Sequence, residues 1–312
     1  MTGTETPAVV HTTTGTLFNS EQTSELFNKV QGHSALAALS GQRPIPFSGT
    51  DVFTFSMDGE ASIVGEGANK PAGSAAFDKV TIKPIKLVYQ HRVTDEFVHM
   101  ADEKQIPYLD AFLDGFAKKM ARALDICAMH GKNPADKAAS TIVGTNNLDS
   151  KVTTAIAGTA NAATDLQDAI DKVMEAGGTV TGIAMSPKIA SAMGKLKQTS
   201  SSNVVLYPEF AFGARPTSFA GMGVNVNNTV SFDASTTANA VNPEVYVGDF
   251  QNAFRWGYAD GIQFETIEYG DPDGQGDLKR TNEIVLRAEC YIGWGILNPT
   301  SFAKITSKVA AS

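Results

Sequence analysis

Residues 51–58 alternate strictly, with Phe53, Phe55 and Met57 on one side and Thr54, Ser56 and Asp58 on the other. A period of two is that of a β-strand, and no other stretch constrains the fold as much. A second strand pattern runs over residues 79–89, with Val80 and Ile82 sharing a face, and Pro84 predicts an edge position or a bend there. The connection between the strands, 59–77, carries Gly59, Gly65, Gly67 and Gly73 and ends at Phe77. Together these segments predict a long two-stranded projection with a polar, glycine-rich tip. Two strands alone are at best marginally stable in water, so the projection needs a partner surface. If its own chain does not supply that surface, another subunit must.

The remaining elements follow from their own periodicities. Residues 1–16 are small, polar and aperiodic, as in an extended arm, and Ser20 suits the cap of a short helix with Leu26, Phe27 and Val30 on one face. The apolar stripe of HSALAAL, residues 33–39, is too short to bury itself and must lie on its own body or on a neighbour. Residues 107–130 predict a long helix that opens at Pro107, has Leu109, Phe112, Phe116, Met120, Leu124 and Cys127 along one stripe, and closes at Gly131. Thr164 predicts the cap of another helix, with Leu166, Ala169, Ile170, Val173 and Met174 inward. A short strand ending at Met185 precedes a helix opened by Ser186 and Pro187. The last third is strand-rich, at 224–230, 245–247, 253–258, 262–267 and 282–296. Helix, strand and helix in the middle of the chain suggest an α+β or α/β layer, and with the strand-rich last third the fold class expected for the whole is α+β.

Chemistry is sparse. The net charge is −8, and the densest basic group, Lys118, Lys119 and Arg122, reads as a solvated helix face. That balance argues against sequence-specific nucleic-acid binding, which relies on clustered Lys and Arg. Cys127 and Cys290 are too few and too far apart for a disulfide framework, and Cys127 reads as a buried, inert thiol in a reduced compartment. No signal peptide is expected, nor a membrane span, because no apolar run approaches the roughly 18 residues required. Gly65-Glu66-Gly67-Ala68-Asn69-Lys70 lacks the helix start that a phosphate cradle needs, because Pro71, Gly73 and Ser74 follow. Asp271, Asp273 and Asp277 approach a calcium loop in oxygen density but lack the later Glu; a solvated turn is the main reading and weak cation binding the lesser. The five histidines form no zinc spacing, and His91 with Asp95 and Glu96 has no nucleophile motif beside it. No cofactor, metal or catalytic residue is expected.

Four stretches in order carry a family resemblance: residues 61–87, with Gly-Glu-Gly, a polar tip and a Lys-Pro-x-Lys return; 93–131, VTDEFVHMA followed by the long helix; 245–265, with its GDF step; and 282–305, with Arg-Ala-Glu and a closing Pro-x-x-Phe-x-Lys-Ile. The chain, over about residues 20–306, thereby resembles the major capsid proteins of tailed bacteriophages, which share the Hong Kong 97-type fold. The resemblance implies an N-terminal arm (1–43), an extended hairpin loop (44–86), a peripheral domain (87–150) with a spine helix at 107–130, an axial domain (151–248), peripheral return strands (249–297) and a C-terminal strand at the axial domain (298–312). It implies hexamers and pentamers closing an icosahedral shell around double-stranded DNA, in a virion assembled in the host cytoplasm, with portal, scaffold and decoration proteins as further partners. Glu66 and Lys70 fall in the hairpin tip, which in the family lies over an adjacent subunit, and Phe53, Phe55 and Phe77 are the other inter-subunit contacts expected. No motif places a Lys–Asn crosslink, and residues 1–20 are too short for a cleaved scaffolding segment. The rival readings are an encapsulin-like nanocompartment shell, and an α+β enzyme with a site within 160–260.

Overall fold

The computed structural model describes residues 33–58, 61–97, 102–199, 203–235, 240–260 and 263–308. The arm over residues 1–16 and the helix expected after Ser20 lie outside them. The alternating segment forms β1 (Thr50–Asp58), paired antiparallel with β2 (Ser74–Ile82) in a separate two-stranded sheet. One strand was expected over 79–89, and two are found. β2 ends at Ile82, Lys83 and Pro84 interrupt it, and β3 (Ile85–Thr94) continues in a different sheet. Pro84 has no N–H to give to a ladder, so the chain changes sheets at that residue.

The helix predicted to open at Pro107 begins earlier, as α2 (Asp102–His130). Pro107 therefore stands at its sixth position, past the four N–H groups that lack partners in any helix, and costs it one hydrogen bond. Of the expected stripe, Phe116, Met120, Leu124 and Cys127 are buried and Phe112 is partly buried against the same core, whereas the side chain of Leu109 lies outside those described. The stripe covers a four-stranded antiparallel sheet of β3, β10 (Gln263–Ile267) and β11 (Glu283–Ile296), with β9 (Phe254–Tyr258) on the far half of β11. The short helix α1 (Ala35–Leu39), capped by Ser34, joins the same core, so the HSALAAL stripe lies on its own chain.

A second, six-stranded sheet is ordered β4 (Ala155–Ala157), β12 (Phe302–Lys308), β8 (Val241–Gly248), β5 (Gly182–Met185), β7 (Met222–Val226), β6 (Ser218–Phe219). Its β4–β12 and β5–β7 pairs are parallel and the rest antiparallel. Leu166, Ala169, Val173, Ile183, Val245 and Ile305 form a core of their own between this sheet and two helices, α4 (Ala162–Glu175) and α5 (Pro187–Lys195). Ser186 caps α5 as expected, its hydroxyl accepting from the Ile189 N–H. For α4 the cap is Asn161 rather than Thr164, and Met174 is exposed rather than inward. Asn161 wins because its side-chain oxygen accepts from both Ala163 and Thr164, leaving Thr164 inside the first turn. Two single-turn helices, α3 (Leu148–Lys151) and α6 (Leu278–Thr281), complete the α+β architecture.

Candidate assembly surface

In the β1–β2 register Phe55 stands opposite Phe77, Phe53 opposite Lys79 and Met57 opposite Ala75, so the large apolar side chains share one face. The Phe55 and Phe77 rings lie 4.8 Å apart. This face is open, with Phe53 69%, Phe55 54%, Met57 74% and Phe77 75% exposed. Burying such a side chain fully is worth roughly 1.5–3 kcal/mol, so the face offers a large gain to whatever covers it. Among the described residues the opposite face is anchored at its base, where Ile82 is wholly buried. Gly293 and Gly295 of β11 admit it: a Cβ on Gly295 would stand 2.7 Å from Ile82 Cγ1. Asp51 braces the base further, accepting from Thr81 Oγ1 at 2.7 Å and Lys79 Nζ at 3.1 Å.

The structure thus brings Phe53, Phe55 and Phe77 together but leaves Glu66 and Lys70 apart from them, exposed in the tip beyond the last strand pair, Asp58–Ser74. In that tip the Ala68 N–H donates to the Gly65 carbonyl at 3.1 Å, with Gly67 at φ 79°. The segment is a turn with no helix after it, so it has no phosphate cradle.

The acidic turn expected to be solvated is spoken for by Arg92. Its Nε donates to Asp273 Oδ2 at 2.8 Å, its Nη1 to Glu283 Oε2 at 2.8 Å, and Asp271 stands 3.5 Å from Nη2. Asp277 instead caps α6. The oxygens suggestive of a cation loop therefore hold a guanidinium and a helix start. Hydrogen bonds from Arg92 lower the Asp273 carboxyl from its ordinary 3.8 to about 2. A carboxyl lowered by folding stabilises the folded chain above its unfolded value, and this share vanishes as the pH falls through the folded one. Arg92→Gln is expected to be less stable than wild type at neutral pH, with the gap closing as the pH drops from about 4 to about 2, followed by urea unfolding across that range. A gap that stays constant would contradict the clamp.

Other expected chemistry is absorbed by the fold. His91 pairs with Leu286 in the ladder, and Asp95 and Glu96 fall in the 3-10 turn that follows β3. Both thiols are buried, Cys127 on α2 and Cys290 on β11, and burial pushes each up to about 12, which makes them inert at neutral pH.

Two buried polar clusters escaped the sequence reading. Asp125, at 0% exposure on α2, accepts from Ser34, Ala35, Leu36 and Thr229. At the end of α2, His130 lies 2.8 Å from Asp149 and 2.9 Å from the Thr229 carbonyl, and Tyr246 donates to Asp149 at 2.6 Å. Burial raises the Asp149 carboxyl, but the hydrogen bonds from His130 and Tyr246 outweigh it and leave the pKa lowered. Each cluster joins segments about a hundred residues apart, so no local pattern announces it.

A sequence model described as the phage capsid family matches residues 14–307. The chain belongs to the phage capsid family. This capsid protein is thereby a structural component of a bacteriophage capsid. It is similar to a solved structure from Mycobacterium phage Ogopogo, with 30% identity and a TM-score of 0.76, over 88% of this chain and 92% of that one. A structure from Gordonia phage Cozz matches at 25% identity and a TM-score of 0.71, over 90% and 87% of the two chains. The capsid of a native GTA particle matches in fold alone, at 15% identity and a TM-score of 0.61, over 98% and 95%. No curated protein matches the capsid protein.

Proposed function

We propose that this capsid protein assembles with copies of itself into hexamers and pentamers, and that these close an icosahedral shell around double-stranded DNA. The observation that carries the reading is the hairpin face, where Phe53, Phe55, Met57 and Phe77 stand exposed on a sheet that, among the described residues, its own body touches at the base. A monomer that leaves such a face open gains by laying it on a neighbour. Contacts of this head-to-tail kind form rings and then closed containers, and many modest interfaces add to a firm whole. In this reading the hairpin loop (44–86) covers an adjacent subunit, with Glu66 and Lys70 as polar contacts at its far end. The α2 layer, residues 87–150 with the return strands 249–297, serves as the peripheral domain. The six-stranded sheet, residues 151–248 with 298–312, serves as the axial domain that meets its copies at the ring centres. Assembly in the host cytoplasm, with portal, scaffold and decoration proteins as further partners, follows from the same reading.

The test is the double change Phe55→Ser with Phe77→Ser. Both rings are exposed in the subunit, so its circular dichroism and unfolding midpoint should hold, while negative-stain microscopy should find at least about tenfold fewer closed particles. Particles at wild-type yield would sink the proposal.

A further inference from the structure

Lys118 and Arg122, one turn apart on α2, read in the sequence as a solvated face. In the fold they border a cleft of about 550 Å³ together with Arg215, from the loop before β6, and His33, at the lead-in to α1. None of the described residues lining it is acidic. For a chain of net charge −8 this is an unusual gathering. Like charges four residues apart weaken a helix by about 0.2–0.5 kcal/mol, and no described residue lining the cleft carries a charge that offsets them. The carboxylate near Lys118 is Asp114, 3.7 Å away on the exposed helix surface, where an ion pair is worth little.

The cleft is also organised. Arg122 Nη1 donates to Asn228 Oδ1 at 2.7 Å, which fixes the guanidinium and leaves its other N–H groups to offer. Asn228 has spent its acceptor on Arg122, so donors are what it retains. Asn227 donates to the His33 carbonyl at 3.0 Å and holds that strand of the rim in place. Pro187, the first residue of α5, also lines the cleft, so the partly positive start of that helix borders it. Forked donors and positive charge, with no carboxylate among the described lining residues, suit phosphate oxygens.

We propose that this cleft binds the phosphodiester backbone of the enclosed nucleic acid without reading its bases, an assignment that rests on the shell proposed above. The net charge of −8 works against attachment over the surface at large, which favours this cleft as the place for it. The site acts as a tether for the contents and leaves their sequence free.

The test uses the full-length subunit and a short fluorescein-labelled DNA duplex, followed by anisotropy across a salt series. Arg122→Gln with Arg215→Gln should weaken binding by about tenfold or more and reduce the salt slope by about two. Lys119→Gln with Lys151→Gln, which removes equal charge outside the cleft, should change affinity less than about twofold. Arg215→Gln alone, in an exposed loop, keeps the test valid if the double change disturbs folding. Equal losses in both double variants, or no binding at low salt, would overturn the assignment. So would polyglutamate competing as well as DNA at matched charge, because an acidic protein segment would then be the occupant. Negative-stain counts on the same proteins separate the two proposals. Normal shells without cleft-dependent DNA binding reject the cleft alone, whereas a subunit that binds DNA at the cleft but forms no shells rejects the shell.

Discussion

Asp125→Ala is expected to cost the unassembled subunit about 3–5 kcal/mol, the largest single loss anticipated from a surface-silent change. The carboxylate accepts from Ser34 Oγ at 2.5 Å, Thr229 Oγ1 at 2.7 Å, the Ala35 N–H at 2.9 Å and the Leu36 N–H at 3.2 Å. Burial raises its pKa, and the four donors pull the other way without cancelling that. The two hydroxyls can turn towards other acceptors once the carboxylate is gone. The two amides cannot, because they stand at the start of α1, where a helix supplies no acceptor. Each buried amide left without a partner costs roughly 1–3 kcal/mol, and the void left by the side chain adds to it. With a urea slope of about 2–3 kcal/mol per M, the unfolding midpoint should fall by about 1 M or more. Asp125→Asn should recover less than half, because its amide group turns donors towards donors. A midpoint unchanged in Asp125→Ala would show that α1 is not held by this carboxylate.

Gly257→Ala is expected to destabilise the subunit by about 2–3 kcal/mol and to loosen the segment that leads into the hairpin. A Cβ at this position would overlap the Arg43 carbonyl. Around it, the Arg43 N–H donates to the Trp256 carbonyl at 2.9 Å and the Ile45 N–H to the Tyr258 carbonyl at 3.1 Å, so the segment lies flat against β9. Elsewhere in a strand, alanine in place of glycine gains about 0.5–1 kcal/mol from backbone entropy. Here the overlap decides the sign. Gly41→Ala, where nothing lies within 4 Å, is the control and should be neutral or slightly stabilising. Limited proteolysis within residues 41–49 together with urea unfolding reads both effects; equal stability of the two variants would dispose of the argument.

What the sequence displayed was local. The alternation at 51–58, the apolar stripe of α2 from Phe116 to Cys127, the Ser186 cap and the inert Cys127 thiol follow from spacing and neighbouring residues, and each is found in the structure. The strand break at Pro84 was half visible, since proline marks a bend without saying that the two sides join different sheets. Gly257, Gly293 and Gly295 look alike in sequence to any strand glycine, yet the backbone at Arg43 and the Ile82 side chain need their missing Cβ atoms. Asp125 and Arg92 meet partners between 89 and 191 residues away, and the partners of the basic cleft are as dispersed. Such groupings are products of topology, so only the folded chain displays them.

Among the described residues the hairpin meets the body at a narrow neck, Ile82 seated over Gly293 and Gly295, with the strand break at Lys83 and Pro84 directly behind it. Nine residues of β2 make a lever of about 30 Å, so rocking by about 10° at that neck carries its outer end through about 5 Å. In the proposed shell, one polypeptide thereby meets neighbours seated at unequal inclinations by swinging one limb, while its two larger apolar cores stay unchanged.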